Sequence, residues 1–296
     1  MLKIDGLQIA AEILEKLKTR KKPSKFFAAF LIGSDASSVH FLEQKKRIAE
    51  KLKIDFRIYK FSFDLQSKGG LNNDFFRREI GKIVRHKTCG AAIIQLPLPS
   101  RLNRHYLLNV LPVEKDVDVL GERALGAFYT GRSRILPPSV GVVKEIIKFV
   151  VAGETNKQDN NGDDIVNNFL STKKVAVVGL GFLIGKPVVN WLIAKCPEIF
   201  LLDKGGDFNI LKEADLVISG VGKSGLIKQE ILKNGAGIID FGYSVDEGGK
   251  ISGDFNLSQI KNLQPKNDLN FWTPVPGGTG PILVAKIFEN FFDLND

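Results

Sequence analysis

One lysine gives the first chemical lead. In "SDASSVHFLEQKKRIAEKL" (34–52) each residue of a helix turns by about 100°, so Phe41, Lys45, Ile48 and Leu52 fall on one stripe. Glu43, Lys46, Glu50 and Lys53 point away from it, which leaves Lys45 among apolar neighbours. Either this side chain snorkels to a rim, or its ammonium is aimed into a pocket. In a pocket, burial disfavours the charged form and brings the amine toward the range of a working acid–base group. Two other stretches carry polar groups that could serve such a lysine. "QLPLP" (95–99) ends the apolar run "AAII" with prolines that stop a sheet, leaving Gln95 near the strand's end either as a capping amide or as a ligand contact. "KDVD" (115–118) alternates so that Asp116 and Asp118 share a side, which read alone is a polar turn.

A second set of residues points to phosphate. After "KVAVVG", Gly179, Gly181 and Gly185 form G-x-G-x-x-x-G ahead of Pro187 and the helical "VVNWLIAK". Glycines let a backbone turn tightly against a pyrophosphate, and a helix N-terminus offers N–H groups and a positive dipole end. Glycine also serves tight strand-to-helix turns with no ligand at all. Asp203 ends the next strand-like run, 24 residues after Gly179, about where a dinucleotide fold places an acid on the adenosine ribose. A carboxylate there suits a free 2′-hydroxyl and repels a 2′-phosphate, so NAD is expected over NADP. The alternative is a solvated turn Asp before "KGG".

These residues need a scaffold, and the apolar pattern supplies one. Strand-like runs at 26–33, 55–63 and 91–99 alternate with helical stretches, and the rhythm returns at 174–181, 198–203, 215–221 and 236–243. Near-continuous apolar strands alternating with helices indicate parallel sheets covered on both faces, hence an α/β protein in two halves. Between the halves, 152–168 is rich in Asn, Asp and Gly and reads as a loop. Pro281 stands in the first turn of a terminal helix, where its missing N–H is tolerated. The chain has 296 residues and a net charge of +9 from 42 basic and 33 acidic residues. The basic residues are scattered and bring no recognition motif, which points away from nucleic acid. No run approaches the roughly 20 apolar residues of a membrane helix, and the N-terminus lacks the apolar core of a signal peptide, so a cytoplasmic protein without membrane contact is expected. The two cysteines, Cys89 and Cys196, are too few and too far apart for a disulfide framework or a metal knuckle.

"QLPLP", "KDVD" and "TPVPGGTGP" (273–281), together with "IDGLQIA" (4–10), resemble the methylenetetrahydrofolate dehydrogenase/methenyltetrahydrofolate cyclohydrolase family, in order and over nearly the whole chain. "GLGFLIGKP" is similar to the family's G-R-S-x-x-V-G-x-P loop, which accounts for the long glycine spacing, and "GVGKSG" and "IIDFGY" resemble its later segments. The resemblance implies a folate-binding catalytic domain over 1–138, completed by 277–296, and a Rossmann-type NAD(P)-binding domain over 139–276, with the C-terminal helix packing back on the first domain. It implies oxidation of 5,10-methylenetetrahydrofolate with NAD(P), then hydrolysis of the methenyl form to 10-formyltetrahydrofolate, by a cytoplasmic homodimer without a metal. Lys45, Gln95 and Asp118 match catalytic positions, Asp118 holding the pterin, whose paired N–H groups a carboxylate accepts. Phe41, Pro276, Gly277 and Gly278 match substrate-binding positions. Gly179, Gly181, Gly185, Asp203 and Gly222 fall to the cofactor.

The chain departs from the family at four places. Phe41 replaces a tyrosine, keeping a ring that stacks on the aminobenzoyl group but losing the hydroxyl. A register with His40 and Gln44 in the tyrosine and lysine positions puts "LKI" (52–54) out of step, so the Phe41/Lys45 register is preferred. Leu180 and Gly181 replace an Arg-Ser pair that serves the NADP phosphate, again favouring NAD. Val119 replaces a glycine, and "LPPSVG" (136–141) replaces P-C-T-P-x-G at the hinge. Two rival expectations stand beside the main one: a dehydrogenase with weak cyclohydrolase activity, and a non-catalytic folate or nucleotide binder.

Overall fold

The computed structural model describes residues 1–62, 72–155, 162–246, 248–255 and 269–296. In chain order its elements are β1 (Leu2–Lys3), α1 (Gly6–Thr19), β2 (Phe26–Ile32), α2 (Ala36–Lys51), β3 (Phe56–Phe61), α3 (Asn73–Val84), β4 (Cys89–Ile94), α4 (Arg104–Leu108), α5 (Glu122–Tyr129) and α6 (Pro138–Thr155). There follow α7 (Gly162–Leu170), β5 (Lys174–Val178), α8 (Gly185–Leu192), β6 (Glu198–Leu202), β7 (Leu216–Ser219), β8 (Gly237–Asp240), β9 (Ser244–Val245), β10 (Ile251–Ser252), β11 (Phe271–Trp272) and α9 (Thr279–Asp293). The chain divides into two compact units, one of Glu12–Pro138 with Val284–Asp296, the other of Met1–Ala11 with Ser139–Leu283.

The first unit is built on a three-stranded parallel sheet in the order β3-β2-β4. Every residue of β2 is buried, as its unbroken "FFAAFLI" requires of a strand covered on both faces. Alternation sends Phe27 to one face, against Phe288 and Phe291 of α9 with ring centroids 5.7 and 5.2 Å away. Phe30 goes to the other, stacking on Tyr59 and Phe61 at 5.4 and 6.4 Å. The end of the terminal helix is therefore part of this unit's core. Asn290, buried in that helix, donates to the carbonyls of Val117 at 2.8 Å and Leu136 at 2.9 Å.

The second unit carries a six-stranded parallel sheet in the order β1-β11-β8-β7-β5-β6. Its centre is apolar throughout, with Val175, Ala176, Val177, Leu216, Val217, Ile218 and Ile238 all buried. The two-residue strand Leu2–Lys3 pairs with Phe271–Trp272 at the edge of this sheet.

The segment expected as a loop at 152–168 departs from that reading. Residues 156–161 lie outside the described residues, but α6 runs to Thr155 and α7 begins at Gly162. Asp163 and Asp164 favour the first turn of α7 through the helix dipole, and Val166 and Leu170, four apart, bury its apolar side. In both sheets the connections leave a central strand in opposite directions, between β2 and β4 and between β5 and β7. The crevice beyond the carboxyl ends at such a point is where open α/β sheets bind ligands.

Candidate active site

The switch point of the small sheet brings Lys45, Gln95 and Asp118 together. Asp35 starts α2 by accepting from the Ser38 amide at 2.8 Å and from the Ser37 hydroxyl at 2.7 Å, a side-chain cap. The Ser38 hydroxyl reaches the Leu96 carbonyl at 3.4 Å, linking the start of the helix to the "QLPLP" turn. Two turns on, Lys45 is only 6 % exposed, and its Nζ donates to Gln95 Oε1 at 3.0 Å. Gln95 is fixed in turn. Its backbone N–H donates to Phe30 O at 2.9 Å and its Nε2 to Leu96 O at 2.7 Å, beside the cis Leu96–Pro97 peptide. The buried residues of α2 are Ser38, Leu42, Lys45 and Ala49, with Phe41 and Ile48 half-buried. The stripe is therefore centred one residue from the predicted one, and Lys45 belongs to it under either description.

Burial pushes the Lys45 ammonium below its ordinary value, and the nearby charge of Asp118 opposes that shift. Asp118 mirrors it: desolvation raises its carboxyl, while Lys45 pulls it down. Burial thus works against the charged form of both groups, and their mutual attraction works against burial.

The turn that holds Asp118 depends on Asp116, which sequence reading noted only as its neighbour. Asp116 is fully buried, and its Oδ2 accepts from the amides of Leu120 at 3.0 Å and Gly121 at 2.7 Å. Its Oδ1 is buried without a hydrogen-bond partner among the described residues. Desolvation raises its pKa to about 7, against the lowering by the Gly121 amide. Val119 sits at φ +56° inside this turn, a left-handed conformation that a β-branched residue holds only when its surroundings impose it. Lys115, donating to the carbonyls of Val84 and His86 at 2.6 and 3.1 Å, fastens the near end.

Beside this cluster, at the carboxyl ends of β2 and β3, lies a cleft of about 920 Å³ floored by Leu31, Phe61 and Pro99 and edged by Lys60, Ser100 and Arg101. Lys45, Gln95 and Asp118 lie outside that lining.

Pro276, Gly277 and Gly278 fall in the other compact unit, so Lys45 is not grouped with them. They follow a cis Val275–Pro276 bond, and Gly277 O accepts from the Gly6 amide at 3.0 Å. A Cβ on Gly6 would stand 1.7 Å from Gly278 O, so "IDGLQ" and "PVPGG" form one backbone contact that admits no side chain.

The glycine loop lies at the switch point of the six-stranded sheet. Gly179 takes φ +85°, and a Cβ on Gly185 would meet Gly179 O at 2.0 Å, so the turn is as tight as the spacing predicts. Gly181 faces open space, with nothing within 4 Å of an added Cβ. The helix end contributes less than expected. The amides of Lys186 and Val188 are bonded to Gly181 O and Ile184 O and Pro187 has none, so donors for an anion must come largely from the loop before α8. Asp203 is exposed at the end of β6, its Oδ1 accepting from the Lys204 amide at 2.9 Å. Gly222, at φ +78°, stands in the turn after β7, where a Cβ would lie 3.5 Å from Tyr243 O. A tight glycine turn with an open outer surface and an acid at the next strand end fits an adenine dinucleotide.

Comparison with known proteins agrees with this arrangement. Residues 4–118 match the profile described as tetrahydrofolate dehydrogenase/cyclohydrolase, catalytic domain, and residues 165–295 match that of its NAD(P)-binding domain. The bifunctional protein FolD of Staphylococcus epidermidis is 29 % identical over 295 residues, covering 97 % of this chain and 94 % of the relative. That of Staphylococcus aureus is 28 % identical with the same coverage. Among solved structures, the bifunctional FolD enzyme of Campylobacter jejuni superposes with a TM-score of 0.84 at 23 % identity, covering 100 % of this chain and 98 % of its own. The NAD-dependent 5,10-methylenetetrahydrofolate dehydrogenase of Saccharomyces cerevisiae does so at 0.71 and 18 % identity, covering 99 % and 96 %. The Trypanosoma brucei enzyme, solved with NADP and an inhibitor, gives 0.79 at 22 % identity over 99 % and 96 %.

Proposed function

This chain belongs to the tetrahydrofolate dehydrogenase/cyclohydrolase family, and we propose that it carries out both reactions of that name with Lys45 as the proton carrier of the second. It oxidises 5,10-methylenetetrahydrofolate to the methenyl form and hydrolyses that to 10-formyltetrahydrofolate. We assign folate handling to the region ending at Pro138 and dinucleotide handling to the region beginning at Ser139.

Bound NAD(P) supplies the hydride acceptor for the one-carbon bridge. The protein's part in that step is positioning, which in good geometry lowers a barrier by roughly 7–11 kcal/mol. Hydrolysis asks more of the side chains. Neutral Lys45 takes a proton from water as the oxygen adds to the one-carbon centre. As the bond from that carbon to N5 breaks, N5 gains a proton and the new hydroxyl loses one, leaving the formyl group on N10 and one net proton released. Gln95 fixes the amine through its Oε1, and Asp118 accepts the paired N–H groups of the pterin. Phe41 offers its ring face to the aminobenzoyl group. Lys60 and Arg101, at the cleft edge, suit the anionic glutamate end of the substrate.

The observation that carries this reading is the 3.0 Å contact between a buried lysine amine and the Gln95 carboxamide. A surface snorkeller keeps its amine in water. The rival of a dehydrogenase with weak hydrolysis draws on Phe41, which lacks the family's hydroxyl. Two assays separate them: reduced-cofactor absorbance with methylenetetrahydrofolate, and decay of methenyltetrahydrofolate without nucleotide. Turnover in the first alone favours the rival, and binding without turnover in either favours a non-catalytic relative.

Asp203, with Leu180 and Gly181 in place of a phosphate-binding Arg-Ser pair, supports NAD over NADP. Equal or faster reduction of NADP would overturn that preference. A cytoplasmic homodimer completes the reading, and sedimentation as a monomer at assay concentration would count against the dimer.

A further inference from the structure

A second buried carboxylate system, in the six-stranded unit, has no part in the reactions described above. Asp254 is 0 % exposed and binds one turn with both oxygens. Its Oδ2 accepts from the Ser219 hydroxyl at 2.6 Å and the Val221 amide at 2.8 Å, and its Oδ1 accepts from the Lys223 amide at 2.7 Å. Its backbone is also anchored, Asp254 O accepting from Ile227 N at 2.8 Å. A carboxylate receiving three donors in a dry site is held rigidly, because each bond is charge-assisted and each donor would otherwise be left unsatisfied.

The turn so held, Ser219–Lys223, leaves β7 at the switch point and lies directly against the glycine loop that leaves β5. A Cβ on Gly179 would come within 2.8 Å of Val221 Cγ2 and 3.0 Å of Gly220 O, and a Cβ on Gly220 within 2.8 Å of Ile184 Cγ2. The two loops are in contact with no slack, so displacement of one displaces the other. The far side of the turn is tied as well, since the Ser244 hydroxyl donates to Gly222 O at 2.8 Å.

We propose that Asp254 is a positioning residue for the dinucleotide: its carboxylate fixes the Ser219–Lys223 turn, and through that turn the Gly179–Gly185 loop, in the shape that receives the cofactor. This rests on the reading that the paired loops take NAD(P). The family's two activities give an internal control, because only one of them uses a nucleotide.

The test is Asp254→Asn, which keeps the size of the side chain but replaces an acceptor oxygen with a donor facing N–H groups. The KM for the dinucleotide is expected to rise about tenfold or more, with kcat of hydride transfer changed far less. Nucleotide-free hydrolysis of methenyltetrahydrofolate stays within about twofold of wild type. Equal loss of both activities, or an unchanged KM for the dinucleotide, would overturn the proposal. Should Asp254→Asn fail to fold, Ser219→Ala removes one of the three donors and leaves the carboxylate in place. It is expected to raise the dinucleotide KM about threefold, and no change there overturns the proposal equally. Calorimetric titration of the wild type and these variants with NAD reads dinucleotide affinity without any folate. Absence of folate turnover in the wild type would therefore sink the functional reading while leaving the Asp254 claim to be decided by affinity.

Discussion

The two switch points of this molecule are built from different materials. At the small sheet the proposed site is made of side chains: a buried Lys45 bonded to the half-buried Gln95, with the half-buried Asp118 near enough for its charge to act on the amine. At the large sheet the ligand-facing surface is backbone, and the buried carboxylate of Asp254 serves it from behind. The contrast follows from the chemistry each must support. Hydrolysis moves protons and needs groups that gain and lose them, whereas hydride transfer needs a rigid seat. A proton carrier would add nothing to hydride transfer at the second site, and a glycine loop at the first would have no proton to give.

Lys45→Ala tests the contrast hardest. It is expected to lower methenyl hydrolysis by about 10²–10⁴-fold while sparing most hydride transfer. Survival of hydrolysis at the wild-type rate would place the chemistry of the small sheet elsewhere.

The next largest effect concerns pH. The folded pKa of Asp116, about 7, lies above its ordinary 3.8. The protonated form is thus favoured in the folded state, and the associated stability is fully present below about pH 4 and lost as pH rises through about 7, by up to roughly 4 kcal/mol. Asp116→Asn should flatten urea-unfolding stability across that window. A slope unchanged by the substitution would show that Asp116 does not titrate there.

A smaller effect is expected at the cofactor end. Asp203→Ser should shift the ratio of kcat/KM values for NAD and NADP about tenfold toward NADP. If the ratio holds, specificity resides in the glycine loop alone. Smallest of all, Lys60→Glu with Arg101→Glu should raise the KM for the folate about three- to tenfold through like-charge repulsion at the exposed cleft edge, and raised salt should shrink the difference. No change in KM would remove the cleft from the substrate path.

What the sequence disclosed depended on how local the signal was. Periodicity was enough to single out Lys45, because a charge on an apolar stripe is visible within two turns. It misplaced the stripe's centre, since Leu42 and Ala49 are buried where Phe41 and Ile48 were expected, and only packing against the sheet decides between adjacent stripes. The central strands β2, β4, β5, β7 and β8 were legible as apolar runs, all but the first residue of β5 being buried. The pair Leu2–Lys3 and Phe271–Trp272 was not, because two residues are too few to show a period. Asn, Asp and Gly suggested a loop at 152–168, yet from Gly162 on two of the acids start a helix. Asp116, Asp254 and Asn290 were hidden for another reason. Asp116 closes a turn onto amides four and five residues on, while Asp254 and Asn290 bond backbone distant in sequence, where the only local clue was a polar residue in apolar company, as in "IFENFF".

The terminal helix has a consequence for the order in which the chain is made. Phe27 and Phe56 leave the ribosome early, but the rings they pack against, Phe288 and Phe291, and the Asn290 amide that holds the Val117 carbonyl, are added after the whole six-stranded unit. At about 5–20 residues per second, the stretch between Pro138 and Val284 takes roughly 7–30 s to synthesise. For that interval the lysine-bearing half is a sheet without its last layer. The unit whose sheet is made first is the one finished last, so a chain that stops short of α9 lacks the rings that close this unit's core while retaining the strands of the other.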